Sequence, residues 1–331
     1  MKKKLIRIAI ILPCAVIALG ILASLLSHAV YGRTLRASVY EVVLRRRYAN
    51  PRTPEEEVAR LEAKRDKGEK PYALPDDLKF SVPIEAADRD GTQVFVLNGD
   101  APRDVIALYL HGGAYINPFN AYQWRFMDRL AAEADCPVVA PAYRLAPFAT
   151  YADAYADLTA LYRDLLDKNP DSRIALMGDS AGGGLALGLA EYWRDEGLPL
   201  PDRLILFSPW VDVSMDNSDI LPLTAIEPIL HLELVKLHGI YWAGGQDTHH
   251  WQVSPLYGDM AGLPPVTLYC GTRELLLPDI SLAADKLAAA GNDVDLHVAR
   301  GLNHDYPLMP IPDAEPAVRE AIAIVKALEA P

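Results

Sequence analysis

Cysteine is scarce in this chain, and the little there is cannot cross-link it. Cys14, Cys136 and Cys270 are the three cysteines. They show no CxxC spacing and no histidine at zinc-ligand distance, which excludes a disulfide framework and a structural zinc site. Cys14 lies in an apolar leading segment, and Cys136 and Cys270 adjoin apolar runs, as inert buried thiols do. No segment recurs at a period of about 20–50 residues, so a solenoid or propeller is excluded. No Gly-Lys-Ser/Thr follows a glycine cluster, which removes the phosphate-binding loop. Positive charge is scarce beyond residue 47, where 23 Lys/Arg face 43 Asp/Glu. Such an acidic body is not built for nucleic acid.

What is present points elsewhere. The chain of 331 residues is 51% hydrophobic and 23% charged, enough apolar material for a sizeable core. Its first 47 residues reverse the charge balance, with nine basic residues against a single acid, Glu41. Lys2, Lys3, Lys4 and Arg7 precede an uncharged run from Ile8 to Leu26, 19 residues long. That length matches the roughly 30 Å of bilayer hydrocarbon better than the shorter apolar stretch of a secretory signal. An uncleaved membrane anchor through residues 8–26 is therefore expected, with the body outside the cytoplasm. Small residues at Ser27-His28-Ala29 keep a cleaved signal, and hence a secreted protein, as the alternative. Arg33, Arg36 and Arg45–Arg47 follow the run, so positive charge flanks it on both sides.

The body reads as strands alternating with helices. Gln93–Leu97, Val105–Leu110, Val138–Ala140, Ile174–Met177, Leu204–Phe207, Val266–Tyr269 and Val294–Val298 are short apolar strands. Tyr155–Leu166, Ala181–Arg194 and Leu282–Ala290 read as helices between them. This alternation predicts a mostly parallel sheet covered on both faces, with ligands at the carboxyl ends of its strands. Ahead of the sheet, Thr53-Pro54-Glu55-Glu56 opens a charged helix that includes Val58, Leu61 and Arg65, closed by Pro71 and Pro75. It is too small for its own core and must pack on something else.

Gly178-Asp179-Ser180-Ala181-Gly182 sits between a predicted strand and a predicted helix. A serine exposed on so tight a turn needs neighbours with almost no side chain, which is the reason for Gly178 and Gly182. The helix start also directs partial positive charge towards an anion beside Ser180. A second glycine loop, His111-Gly112-Gly113-Ala114, follows the strand Val105–Leu110. Backbone N–H groups of Gly112, Gly113 and Ala181 are the expected oxyanion donors, with His111 holding the loop.

An activated serine needs a histidine base and a carboxylate to orient it. His304, in the loop after the last strand, is the expected base. His297 belongs to that strand and reads as a surface residue. His238, His249 and His250 precede the expected acid, and the His249-His250 pair has no companions for a metal. Two acids follow the strand Val266–Tyr269. Glu274 lies nearer the strand end and is the first choice, with Asp279 the second. The aromatics Tyr115, Phe119, Tyr122 and Trp124 are candidate pocket walls.

At this point the chain resembles the hormone-sensitive-lipase family of α/β-hydrolases, the esterase and acetyl-hydrolase group. The resemblance rests on His111-Gly112-Gly113-Ala114, Tyr143-Arg144-Leu145-Ala146-Pro147 and Gly178-Asp179-Ser180-Ala181-Gly182-Gly183. It extends to Ser208-Pro209-Trp210-Val211-Asp212, Gly271-Thr272-Arg273-Glu274 and Gly301-Leu302-Asn303-His304, and spans about residues 80–325. It implies an α/β-hydrolase fold with a helical cap, hydrolysis of short- to medium-chain carboxylic esters, acetyl esters among them, and a triad needing no metal or cofactor. The division implied is an anchor or signal segment over 1–32, a cap segment over 33–79 and a catalytic domain over 80–331, with about 212–250 added to the cap. Departures from the family pattern are Ala114 in place of a third glycine, Phe148 where Glu usually follows Ala-Pro, and Glu274 where Asp is usual. An acyltransferase or amidase with the same triad, or a non-catalytic binding module on the same scaffold, is the alternative reading.

Overall fold

A computed structural model describes residues 19–328 except Asp90 and Arg103. Residues 8–18, more than half of the expected anchor, lie outside the described part. Residues 19–31 form helix α1, followed by α2 (Leu35–Arg47) and α3 (Pro54–Asp66). The sheet then builds in the order β1 (Ile84–Arg89), β2 (Thr92–Leu97), β3 (Val105–Leu110), α4 (Ala121–Ala134), β4 (Val138–Ala142), α5 (Tyr151–Lys168), β5 (Arg173–Asp179) and α6 (Ser180–Asp195). It continues through β6 (Arg203–Phe207), α7 (Leu232–Ala243), β7 (Val266–Gly271), α8 (Leu277–Ala289), β8 (Val294–Ala299) and α9 (Glu315–Ala327). Among the described residues no helix is long and apolar enough to cross a membrane.

The eight strands lie in the order β1-β2-β4-β3-β5-β6-β7-β8. β1, β2 and β4 pair antiparallel, and all pairings from β4 through β8 are parallel. This is the α/β-hydrolase fold. Alternate residues of each central strand feed opposite cores. Ile106, Leu108, Ile174, Leu176, Leu204 and Leu206 join α5, α6 and α8 on one face. Val105, Ala107, Tyr109, Ala175, Met177, Ile205 and Phe207 join α4 and α9 on the other. The continuous apolar runs predicted for a doubly covered sheet are thus explained by burial on both sides.

Every strand in the expected set is present, with ends one or two residues longer in several. Helix α8 begins at Leu277, five residues before its expected start. Strand β1 was not anticipated, because five of its six residues are exposed and carry no apolar alternation. Helices α2 and α7 fall within the segments expected to be helical, whereas α4 and α9 were not anticipated.

Helix α3 carries the capping box expected of it. Thr53 Oγ1 accepts from Glu56 N, and Glu56 Oε2 accepts from Thr53 N at 2.9 Å, a device worth about 1 kcal/mol. The helix packs over the carboxyl ends of the strands. Leu61 is fully buried against Ile116 and Ala146, Lys64 Nζ donates to Ile116 O at 2.7 Å, and Glu57 meets His238 of α7 at 3.0 Å. It therefore braces the loop that follows β3.

Candidate active site

Parallel strands bring their carboxyl ends, and the loops leaving them, to one edge of the sheet. Ser180 lies where β5 passes into α6, with a positive φ of 50°. That strain is tolerated because the turn is packed from every side. A Cβ on Gly178 would stand 2.5 Å from Gly182 C, and one on Gly182 would stand 2.1 Å from Leu110 O. No larger residue fits either place.

Three residues from three separate elements meet here. His304 Nε2 lies 2.9 Å from Ser180 Oγ, and His304 Nδ1 lies 3.2 Å from Glu274 Oε2. Glu274 is fully buried and its Oε1 also accepts from Gly271 N at 3.2 Å. Asp279 is elsewhere: Asn217 Nδ2 donates to it at 2.7 Å, and burial lifts its pKa to about 6. Of the two acids left open by sequence, Glu274 is the one at the histidine. Burial opposes charging of His304, but the carboxylates of Asp305, Glu274 and Glu227 outweigh it and push the pKa up to about 10.

The glycine loop is held by Asp179, the residue before the serine. Its Oδ1 accepts from Gly112 N at 2.9 Å and from Tyr109 Oη at 2.6 Å, and its Oδ2 accepts from Gln123 Nε2 at 2.8 Å. Gly112 was expected to face an oxyanion, but its N–H is committed to this carboxylate and the expectation is corrected. Among the described residues, the N–H groups of Gly113, Ala114 and Ala181 donate to no protein acceptor. His111 holds the loop as expected. Its Nδ1 lies 2.7 Å from Gly112 O, its ring stacks on Tyr143 at 4.4 Å, and burial pushes its pKa down to about 4.

Three of the four aromatics expected as pocket walls are taken up in packing. Tyr115 is buried and stacks on Trp242 at 3.9 Å. Phe119 is buried against His111 and Trp124, and Trp124 is itself fully buried. Tyr122 pairs its hydroxyl with that of Tyr40 at 2.6 Å and lines a cavity of about 500 Å³ with Arg36 and Arg129. A larger cavity of about 930 Å³ is lined by Lys64, Tyr72, His111, Tyr143 and Phe148. Neither cavity is lined by Ser180 or His304.

Four residues that bear on the site were not foreseen. Asp305 Oδ2 lies 3.3 Å from His304 Nε2, the nitrogen that faces Ser180. Glu227, buried, accepts from Leu275 N, Ile229 N and Leu230 N, and burial lifts its pKa to about 7. Glu41 and Arg33 complete the group. Arg33 pairs with Glu41 and donates to Gly301 O at 2.6 Å, and Arg273 donates twice to Glu41. Arg33 and Arg45 were read as charges flanking a membrane span, yet both are bound to Glu41. The available signal was Glu41 itself, a lone acid among nine basic residues. On the far edge of the sheet, His297 Nε2 lies 3.0 Å from Asp295 Oδ2 and 3.5 Å from Glu320 Oε1.

A family model for the alpha/beta hydrolase fold matches residues 107–308. The chain belongs to the α/β-hydrolase family. LipR of Mycobacterium tuberculosis, an acetyl-hydrolase by name, is 33% identical over 65% of this chain and 70% of its own length. The acetyl-hydrolase of Streptomyces hygroscopicus is 34% identical over 56% of this chain, which spans 63% of that relative. A crystal structure of an esterase from the bacterial hormone-sensitive lipase family superposes with a TM-score of 0.75 at 30% identity, covering 89% of this chain and 98% of that one. These likenesses bear out the resemblance to the hormone-sensitive-lipase group, and the hydrolase is a carboxylic ester hydrolase.

Proposed function

We propose that this hydrolase cleaves short- to medium-chain acyl esters through an acyl-enzyme on Ser180. The observation that carries the reading is the Glu274–His304–Ser180 chain, with contacts of 3.2 and 2.9 Å. Ser180 Oγ attacks the ester carbonyl while His304 Nε2 takes its proton. Glu274 holds Nδ1–H and stabilises the imidazolium. The N–H groups of Gly113, Ala114 and Ala181 receive the oxyanion, at about 3 kcal/mol for each donor. The alcohol leaves with the proton from His304. Water, deprotonated by the same nitrogen, then releases the acid. The short-chain preference is supported by the acetyl-hydrolase names of the two relatives above.

The test is a p-nitrophenyl ester series from acetate to palmitate, with Ser180→Ala alongside. Turnover should peak at short or medium chains and vanish in a variant that still folds. Activity retained without Ser180 would refute the mechanism. The run Ile8–Leu26 with its flanking lysines supports attachment of the chain to a membrane with the body outside the cytoplasm. Resistance of the full chain to alkaline extraction from membranes would agree with it, and release would refute it.

A further inference from the structure

Helix α2 exposes an apolar stripe and buries an acid. A surface helix of a water-soluble protein buries an apolar stripe and exposes charge. In α2 the buried positions are Ala37, Glu41 and Leu44, and the buried acid is met by Arg33, Arg45 and Arg273. The opposite face carries Val39, Val42 and Val43, spaced as one stripe. These valines are 56%, 49% and 53% exposed. The ion-pair cluster lies on the buried face beside Ala37 and Leu44, and the exposed face is also hydrocarbon.

The patch does not end there. In α1, Leu19, Ile21, Leu22, Leu25, Leu26 and Val30 are all more than half exposed. In sequence all but Val30 belong to the uncharged run that starts at Ile8, behind Lys2–Lys4 and Arg7. The turn between the two helices is fixed to the body. A Cβ on Gly301 would stand 2.0 Å from Tyr31 O, and Thr34 N donates to Asp313 at 2.8 Å. The valine face is therefore presented by a rigid joint. Arg36, Arg46 and Arg47 on α2 are exposed, whereas the chain beyond residue 47 is strongly acidic.

We propose that the outer face of α2 is a seat on an anionic lipid bilayer, with Val39, Val42 and Val43 in the interface and Arg36, Arg46 and Arg47 against the headgroups. An apolar face rimmed by Arg matches a membrane surface in both hydrophobic and charge character. The acidic remainder is repelled by the same surface, so one orientation is selected. The body then rests on the membrane through α2 and does not merely hang from its leading segment. This goes beyond ester hydrolysis and does not depend on it.

The test places an environment-sensitive fluorophore on Val42→Cys, in the full chain carrying Cys14→Ser, and on Leu282→Cys as an exposed control. Retained esterase activity reports the fold of both. With vesicles of phosphatidylcholine and phosphatidylglycerol, emission from position 42 should shift to the blue. Lipid-borne nitroxides should quench it several-fold more strongly than emission from position 282. Val39→Asp should reverse both effects, and omission of phosphatidylglycerol should weaken them. Equal water exposure at positions 42 and 282 would overturn the proposal. So would a blue shift that needs no vesicles and grows with protein concentration, which would assign the face to a second copy of the chain.

Discussion

Glu41 accepts both Nε and Nη2 of Arg273 at 2.9 Å, and Arg273 immediately precedes Glu274. Arg33 joins the same carboxylate and reaches Gly301 O in the loop that leads to His304. One buried anion on α2 thus ties together the loops that carry the acid and the base. Glu41→Gln leaves three guanidinium groups around a neutral amide, and breaking a buried ion pair in this way costs about 3–5 kcal/mol. Chemical denaturation should show a loss of that order. Counted per active site by titration with a covalent serine reagent, kcat should fall about tenfold with KM little changed, equivalent to about 1.4 kcal/mol in the barrier. Stability should also depend on pH in a defined direction. Burial alone would raise the Glu41 pKa, but hydrogen bonds from Arg273, Arg33 and Arg45 hold it below 4.5. Its contribution is therefore present above about pH 4.5 and lost as pH falls through the lower folded value.

The parallel sheet, the serine elbow and the late histidine were legible in the sequence because each rests on local pattern. An apolar run covered on both faces looks the same in any chain, and Gly178 and Gly182 are required by a turn that spans five residues. Gly112 was misassigned because its role depends on Asp179, a contact that crosses from the β5 end to the β3 loop. Tyr115 and Phe119 looked like pocket walls because they follow the glycine loop, yet Trp242 and Trp124, distant or helical partners, claim their faces. Asp305 gave no separate signal, since an acid beside a histidine is common in loops. Helices α4 and α9 bury residues at helical spacing, such as Trp124, Met127 and Leu130 or Val318, Ala321 and Val325, and were readable from period alone. Strand β1, exposed at five of six positions, was not.

The pH dependence of catalysis should carry the mark of Asp305. His304 must be neutral to accept the serine proton, and its pKa is pushed up to about 10 with Asp305 the first of the carboxylates opposing the effect of burial. The acid limb of kcat/KM should therefore lie in the alkaline range. Burial raises the Asp305 pKa well above the ordinary carboxyl value, and the His304 imidazolium opposes that rise. Asp305→Asn removes this carboxyl group 3.3 Å from Nε2 and should move the limb down. Below the limb each unit is worth about tenfold in kcat/KM. The linked stability follows: a histidine raised above 6.5 stabilises below that pH, and the benefit is lost as pH rises through about 10. A pH–rate profile with an unmoved limb would rule Asp305 out as an influence on the base.

The two acids downstream of β7 should separate cleanly. Glu274→Gln keeps the shape but removes the charge that stabilises the imidazolium, and kcat should fall by about two to four orders of magnitude. Asp279→Asn should leave kcat nearly unchanged. Asp279 bonds Asn217, and burial already lifts its pKa to about 6, so a neutral replacement is well tolerated there. Comparable losses in both variants would contradict the assignment of Glu274 as the orienting acid.

Asp179 offers the sharpest probe of the oxyanion loop, because it faces three donors and no other acid replaces it in those contacts. Gly112 N and Tyr109 Oη point at Oδ1, and Gln123 Nε2 points at Oδ2. Asparagine has a single acceptor oxygen, so in Asp179→Asn its NH₂ must oppose either the Gln123 amide or the Gly112 N–H, since the Tyr109 hydroxyl can turn to accept. Both sites are buried, and an unmet donor there costs about 1–3 kcal/mol. If the amide nitrogen turns towards Gly112, the loop is pushed off its seat and the N–H groups of Gly113 and Ala114 leave the position where negative charge develops. Donors that act only as that charge forms affect kcat and not ground-state binding. Asp179→Asn should therefore lower kcat about 10- to 100-fold with KM within about twofold, in line with the partial loss of one oxyanion donor. Asp179→Asn combined with Gln123→Glu restores an acceptor opposite the new NH₂ and should recover part of the lost kcat. Steady-state kinetics on p-nitrophenyl acetate decide it, and a loss confined to KM would place Asp179 in substrate binding instead.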